Sequence, residues 1–303
     1  MQRPVRKAIP GISICETTPL VVPCEFISDK TSPWEREMAR RQPPTFFCSA
    51  VVVAAGSSSR MGGNVRKPYL ELRKRPILAW TLSALSRVEG LREIVLVTRP
   101  DDRKTAAAAA KKARLPRSVK LRFADGGARR QDSVFNGLKA TNAKAAVVMI
   151  HDAARPFPPL DAIHCGLAQA ASIGASILAV RVKDTVKREA SNPSPGRGPG
   201  AGDEHSMPTC RIETTVPRAG LWLAQTPQIF QRRLILELFE RLFRERPGQE
   251  VTDDASICEL FHQPVALVES SETNFKVTRP EDLAIAEAFL QAGIVGEKRS
   301  AKR

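Results

Sequence analysis

Ala50-Val51-Val52-Val53-Ala54-Ala55-Gly56-Ser57-Ser58-Ser59-Arg60-Met61-Gly62-Gly63, followed shortly by Lys67, is the stretch that decides the fold. A short apolar, β-branched run breaks into glycine and small hydroxyl residues, the pattern of a buried strand ending in a phosphate-cradling loop. Glycine lets backbone amides come close to a polyanion and the serines add donors. Arg60 and Lys67 supply the positive charge that a triphosphate needs. Neither G-K-[ST] nor G-x-G-x-x-G occurs in the segment, which excludes a P-loop and a dinucleotide fingerprint. Taken alone, the stretch also reads as a glycine-rich turn carrying two solvated cations.

The loop resembles the signature of nucleotidyltransferases that activate sugars and polyols. A second segment strengthens that reading. His151-Asp152-Ala153-Ala154-Arg155-Pro156 follows the apolar run Ala145-Ala146-Val147-Val148-Met149-Ile150, so a carboxylate and a guanidinium stand where a strand ends. Ligands of open α/β sheets bind at the carboxyl ends of strands. Asp152 is placed there to hold Mg²⁺, which takes one or two carboxylates together with phosphate oxygens. A turn aspartate or helix cap is the alternative for this residue by itself.

Between the two lies Asp125-Gly126-Gly127-Ala128-Arg129-Arg130-Gln131-Asp132-Ser133-Val134-Phe135-Asn136-Gly137-Leu138, a strand end, glycine turn and helix start. With all three loops in view, the chain resembles the 2-C-methyl-D-erythritol 4-phosphate cytidylyltransferases, CTP-using enzymes of non-mevalonate isoprenoid synthesis. The likeness runs on through Val182-Lys183-Asp184-Thr185-Val186-Lys187, Val216-Pro217-Arg218 and Leu221-Trp222-Leu223-Ala224-Gln225-Thr226-Pro227-Gln228. It ends with Val251-Thr252-Asp253-Asp254-Ala255-Ser256 and Asn274-Phe275-Lys276-Val277-Thr278-Arg279-Pro280-Glu281-Asp282.

The resemblance implies transfer of a cytidylyl group by direct in-line attack of a methylerythritol phosphate oxygen on the α-phosphorus of CTP, with no covalent enzyme intermediate. It makes Arg60 and Lys67 the catalytic cations. CTP falls to Ala54, Ala55, Gly56, Gly127, Ser133, Asp152 and Arg155, with base and ribose read largely by backbone groups, and Asp152 holds the divalent cation. Thr185, Arg218, Thr252 and Lys276 hold the polyol phosphate, Thr185 and Arg218 coming from a partner's arm, while Thr226 positions. The implied assembly is a homodimer. Where the family has Pro-Lys-Gln, this chain reads Arg66-Lys67-Pro68. Arg66 is thereby expected as a further cation beside the phosphates, and Pro68 to restrain Lys67 to extended backbone angles.

The rest of the chain agrees. Apolar runs at 50–54, 94–98, 119–124, 146–150 and 176–182 alternate with helical patterns at 76–87, 102–113, 131–140 and 160–171, which predicts an α/β fold. The order implies a doubly wound, mostly parallel sheet with right-handed crossovers. Pro and Gly crowd 192–208, read as the enlarged tip of a β-arm over 183–220; an interdomain linker is the other reading. The cytidylyltransferase domain is expected over 48–293, followed by a basic tail at 294–303. The proline-rich, mixed-charge stretch 1–47 reads as a poorly ordered extension.

A net charge of +15 admits nucleic-acid or membrane partners, but aromatics are only 5% and no basic run interleaves with them. The charge is assigned instead to attraction of CTP, a polyol phosphate and pyrophosphate. Six cysteines without C-x-x-C pairing argue against zinc and disulfides, and no apolar stretch is long enough for a bilayer. The expected compartment is the cytoplasm, with plastid import as the alternative. Ribitol 5-phosphate cytidylyl transfer and a non-catalytic basic binding protein are the competing functions.

Overall fold

The computed structural model describes residues 21–22, 47–56, 66–190 and 210–295. Arg60, the arm tip at 192–208, most of the 1–47 extension and the end of the basic tail lie outside the described residues.

The first strands and helices follow the expected alternation. β1 (Val21–Val22), β2 (Cys48–Val53), β3 (Glu71–Leu72) and β4 (Arg75–Pro76) precede α1 (Ile77–Leu85). Then come β5 (Leu91–Thr98), α2 (Arg103–Lys111), β6 (Lys120–Asp125), α3 (Arg130–Ala140), β7 (Val147–Asp152), α4 (Leu160–Ile173) and β8 (Ala175–Arg181). β9 (Val186–Glu189), β10 (Ile212–Val216) and β11 (Trp222–Gln231) lead to α5 (Arg232–Glu245), α6 (Ala255–Leu260), β12 (Ala266–Glu269) and α7 (Pro280–Gln291).

The main sheet has the order β1-β12-β8-β11-β7-β2-β5-β6. All its pairings are parallel except those of β11, which runs antiparallel between β7 and β8. The chain winds outward from β2 through β5 to β6, then crosses back to place β7 on the other side of β2. This reversal opens a crevice at the carboxyl ends of β2 and β7, where ligands of such sheets bind. Register makes the crevice level: Val53 pairs with both Val97 and Asp152, and Thr98 with Asp125.

Both faces of the sheet are covered, because its inner strands bury most of their residues and divide them by the two-residue period. Ala50, Val52, Ile94, Leu96, Val147 and Met149 face one cluster, with Ala162, Ile163 and Leu167 of α4. Val51, Val95, Val97, Val148 and Ile150 face the other, with Val134 of α3 and Ile235, Leu238 and Phe239 of α5. At Gly137 a Cβ would meet Val51 Cγ1 at 2.5 Å and Val97 Cγ2 at 2.7 Å, so α3 lies directly on the sheet. A methyl there would overpack the core at a cost of about 1 to 3 kcal/mol.

The arm forms from local pairing. β9 and β10 make a separate antiparallel ribbon, with Val186 opposite Val216 and Lys187 opposite Thr215. Since β8 and β11 also pair with each other, the ribbon continues their hairpin outward. Two local expectations need correction. Asp152 is the last residue of β7 rather than a residue beyond it. Lys67 opens a short 3-10 turn, Lys67–Tyr69, and the extended residue is Arg66, at φ −75° and ψ 147°. Pro68 tolerates that place because the first amides of a helical turn have no intrahelical partner.

Candidate active site

Asp152 ends β7 with only 9% of its surface exposed, and two cations meet it from different parts of the chain. Lys276 Nζ lies 3.1 Å and Arg155 Nε 3.2 Å from the same oxygen, Oδ2. Burial alone would raise the carboxyl's pKa. Lys276, Arg155 and Arg130 outweigh burial and hold it well below the usual carboxylate range. Both contacts fall on Oδ2 and not on Oδ1.

A buried polar net fixes this carboxylate. The backbone N–H of Asp152 donates to Thr226 Oγ1 at 3.0 Å, and His151 Nδ1 lies 3.0 Å from the same hydroxyl. His151 Nε2 is 3.0 Å from the Arg155 carbonyl, which can only accept, so Nε2 carries the proton and Nδ1 accepts from Thr226. Burial lowers the His151 pKa to about 4 and keeps the ring neutral. Thr226 reaches this place because the β8–β11 register breaks between Ala224 and Gln228, and such a break re-aims side chains.

The last segment is tied in by its backbone. Asn274, fully buried, donates from Nδ2 to Gln225 Oε1 at 2.8 Å and to the Thr226 carbonyl at 2.9 Å. Arg155 Nη1 donates to the Asn274 carbonyl at 2.8 Å, and the Val277 N–H to the Ala154 carbonyl at 2.9 Å. Lys276 therefore stands at Asp152 because the residues flanking it are bonded to the turn that follows β7.

Across the crevice the glycine turn closes on the loop after β2. A Cβ at Gly126 would sit 2.4 Å from that of Ala55, so only glycine allows this approach. Gly127 N–H donates to Ser133 Oγ at 2.9 Å, Ser133 Oγ to the Arg129 carbonyl at 3.2 Å, and Ala54 N–H to the Val97 carbonyl at 2.8 Å. These donors are committed to the protein, so Ala54 and Gly127 can offer their carbonyls rather than their amides. Gly56 is exposed at the end of the described loop.

A third group of residues supports the floor. Arg130 makes a bidentate pair with buried Asp254 at 3.0 and 2.8 Å; burial opposes its charge, but Asp254 holds it protonated. Gln228 accepts from the N–H groups of Asp254 and Ala255 and donates to Asp253 Oδ2 at 2.7 Å. Gln131 accepts from Val251 N–H at 3.1 Å and donates to the Gln249 carbonyl at 2.9 Å. Thr252 lies exposed on the segment so held.

The structure thus brings Ala55, Gly127 and Ser133 together on one side and Asp152, Arg155, Thr226 and Lys276 on the other. It does not bring Thr185 or Arg218 to them. Both are exposed at the arm's base, where Arg218 donates to the Lys183 carbonyl. Arg66 stands with its guanidinium 2.8 Å from Asp102, and Arg155 contacts Asp152 and the Asn274 carbonyl. His151, Gln225, Gln228, Asn274, Arg130 and Asp254 were missed as site supports. Polar residues inside the strand pattern of 222–231 were the available signal, since a buried polar group demands a partner.

Among the described residues no cluster of three or more His, Cys, Asp or Glu could hold a metal without help, and no helix is long and apolar enough to cross a membrane.

The family described as IspD, 2-C-methyl-D-erythritol 4-phosphate cytidylyltransferase, matches residues 48–292. A protein of that name from Geobacillus thermodenitrificans is 38% identical over 239 residues, 79% of this chain and 95% of that protein. The crystal structure of 4-diphosphocytidyl-2C-methyl-D-erythritol synthase from Anaerococcus prevotii is 30% identical, covers 82% of this chain and 98% of its own, and superposes with a TM-score of 0.67. The 2-C-methyl-D-erythritol 4-phosphate cytidylyltransferase of Thermus thermophilus is also 30% identical, covering 81% and 100%, with a TM-score of 0.60.

Proposed function

The chain belongs to the 2-C-methyl-D-erythritol 4-phosphate cytidylyltransferase family, and from that premise we propose how its residues carry the reaction. The enzyme transfers the cytidylyl group of CTP to 2-C-methyl-D-erythritol 4-phosphate, releasing pyrophosphate. A phosphate oxygen of the polyol attacks the α-phosphorus, and the bond from that phosphorus to the bridging β-phosphate oxygen breaks. Nothing covalent to the protein is needed, so rate comes from positioning and charge.

The observation that carries this assignment is Asp152, paired with Lys276 and Arg155 at the mouth of the crevice between β2 and β7, with the close Ala55–Gly126 approach on the other side. CTP lies across that crevice, with its base toward the carbonyls of Ala54 and Gly127 and its phosphates toward Arg60 and Lys67. These two cations neutralise charge developing on the α-phosphate and the leaving pyrophosphate. A divalent cation suits Asp152, because Lys276 and Arg155 share Oδ2 and leave Oδ1 to it; Mg²⁺ takes few carboxylates when phosphates fill its shell. When bound, such an ion neutralises and orients phosphate oxygens.

Lys276 joins the two halves of the reaction. With 44% of its side chain exposed and three donors on its ammonium, it can hold Asp152 and a polyol phosphate together. Thr252 adds a hydroxyl nearby in this reading. Thr185 and Arg218 serve the neighbouring subunit of a homodimer. Their exposure at the arm's base and the exposed apolar residues Ile212, Leu221 and Leu223 along the arm and its root support that arrangement.

The test is pyrophosphate release from CTP, UTP, GTP and ATP, each with methylerythritol phosphate or ribitol 5-phosphate, in Mg²⁺ and in EDTA. CTP with methylerythritol phosphate and Mg²⁺ is expected to give the highest specificity constant. A niche for one branched methyl discriminates by roughly 10 to 200-fold. Faster turnover of ribitol 5-phosphate would keep the family and overturn the substrate.

A further inference from the structure

Two short turns follow the adjacent strands β2 and β5, and one ion pair joins them. Arg66 Nη1 lies 2.8 Å from Asp102 Oδ2, an ion pair without hydrogen-bond geometry between two buried atoms, with side chains only 25% and 16% exposed. Asp102 ends the 3-10 turn Pro100–Asp102 just after β5, and Arg66 precedes the turn Lys67–Tyr69. The Arg66 carbonyl accepts from Tyr69 N–H at 2.9 Å, and Tyr69 is buried in the core at 8% exposure. Its phenol, pushed up to about 12 chiefly by burial and by neighbouring Asp102, stays neutral and adds no third charge. Lys67 is therefore bracketed by an ion-paired residue before it and by Pro68 and a buried ring after it.

We propose that the Arg66–Asp102 pair is a positioning clamp that sets where Lys67 stands at the triphosphate site. The proposal rests on the reading of Lys67 given above. A clamp needs the Asp102 carboxylate, because a partly desolvated pair fixes the backbone between two strand ends more firmly than a solvated one. Displacement of a charged group by about 1 Å can cost on the order of 10²-fold in rate, so a small backbone adjustment is enough to matter.

Kinetics of the full chain separate the possibilities. Asp102→Asn and Arg66→Ala are each expected to lower kcat/KM for CTP by roughly tenfold, with the double variant no worse than either single change. The KM for the polyol phosphate should stay constant, whereas a merely unstable protein would lose active fraction and leave both KM values alone. Arg66→Lys, which keeps the charge, should recover part of the loss and covers the case in which Arg66→Ala fails to fold. Loss in Arg66→Ala with full activity in Asp102→Asn would overturn the clamp and show that Arg66 meets the triphosphate directly. Lys67→Ala distinguishes the two levels: if it loses turnover while both clamp variants are intact, only the clamp falls. If Lys67→Ala keeps full turnover, the reading beneath falls and the clamp with it.

Discussion

Lys276 Nζ lies 3.1 Å from Asp152 Oδ2, so the last family motif neutralises the carboxylate that ends β7. Lys276→Ala should raise the KM for the polyol phosphate roughly tenfold and that for CTP much less. Because the ammonium is half-exposed, the stability lost should stay within about 1 kcal/mol. Steady-state kinetics in both substrates beside thermal melts check this; an equal rise in both KM values would assign Lys276 to the nucleotide.

In the proposed mechanism Arg60 and Lys67 carry the charge felt most strongly in the transition state. Arg60→Ala or Lys67→Ala should each cut turnover by roughly 10²-fold or more while Tm moves little. Near-normal turnover in both folded variants would remove the proposed triphosphate clamp.

The arm predicts active sites shared between subunits. Arg60→Ala and Arg218→Ala chains, unfolded and refolded together, should regain activity that neither parent shows, because mixed dimers contain one complete site. Heterodimers isolated by differential tagging that stay inactive would place Arg218 in its own subunit's chemistry.

His151 ties stability to pH. Its folded pKa, about 4, lies below the ordinary value of 6.5, so between those pH values the unfolded chain binds the extra proton. The stabilisation is complete above pH 6.5 and is lost as pH falls toward 4, amounting to about 3 kcal/mol. Asp152, Arg155 and Lys276 are the charges around the ring, and Asp152 stays ionised across this window. Urea unfolding of the EDTA-treated protein at a series of pH values should show the slope; a flat profile from 6.5 to 4 would contradict a buried neutral ring.

A chain beginning near Thr45 should fold and turn over normally. Among the described residues the deletion removes the pairing of Val21–Val22 with Leu267–Val268, and ladder ends of two residues add little. A fall of more than several degrees in Tm would show that the extension packs on the core.

The alternation of apolar runs with helical patterns made β2, β5, β6, β7, β8 and α1 to α4 legible; in β2, β5, β7 and β8 the reason is that strands largely buried on both faces leave few places for polar residues. β11 was visible only as a motif. Its polar residues Gln225, Thr226 and Gln228 break the apolar run, and their reason lies with His151, Asn274 and Asp254, far away in the chain. Side chains that serve distant partners leave no local period. Arg66 gives a related case: its neighbour Asp102 comes from a distant turn, and no local period in the sequence announces the pair.

The outward continuation of β8 and β11 into the arm has a practical side. Both feet of the ribbon are stitched to each other, Arg181 opposite Trp222 and Val186 opposite Val216, before the chain reaches the segment beyond Ala190. Whatever length of chain closes the far end, the ladder below already fixes the direction in which it leaves. Lengthening a closed loop costs little, about 0.6 kcal/mol per doubling. The foot of the ribbon at Arg181 is the carboxyl end of β8, which runs parallel to β7, so an affinity tag or fluorescent reporter spliced into the far end hangs from the same edge of the sheet as Asp152, spaced from it by the length of the ribbon.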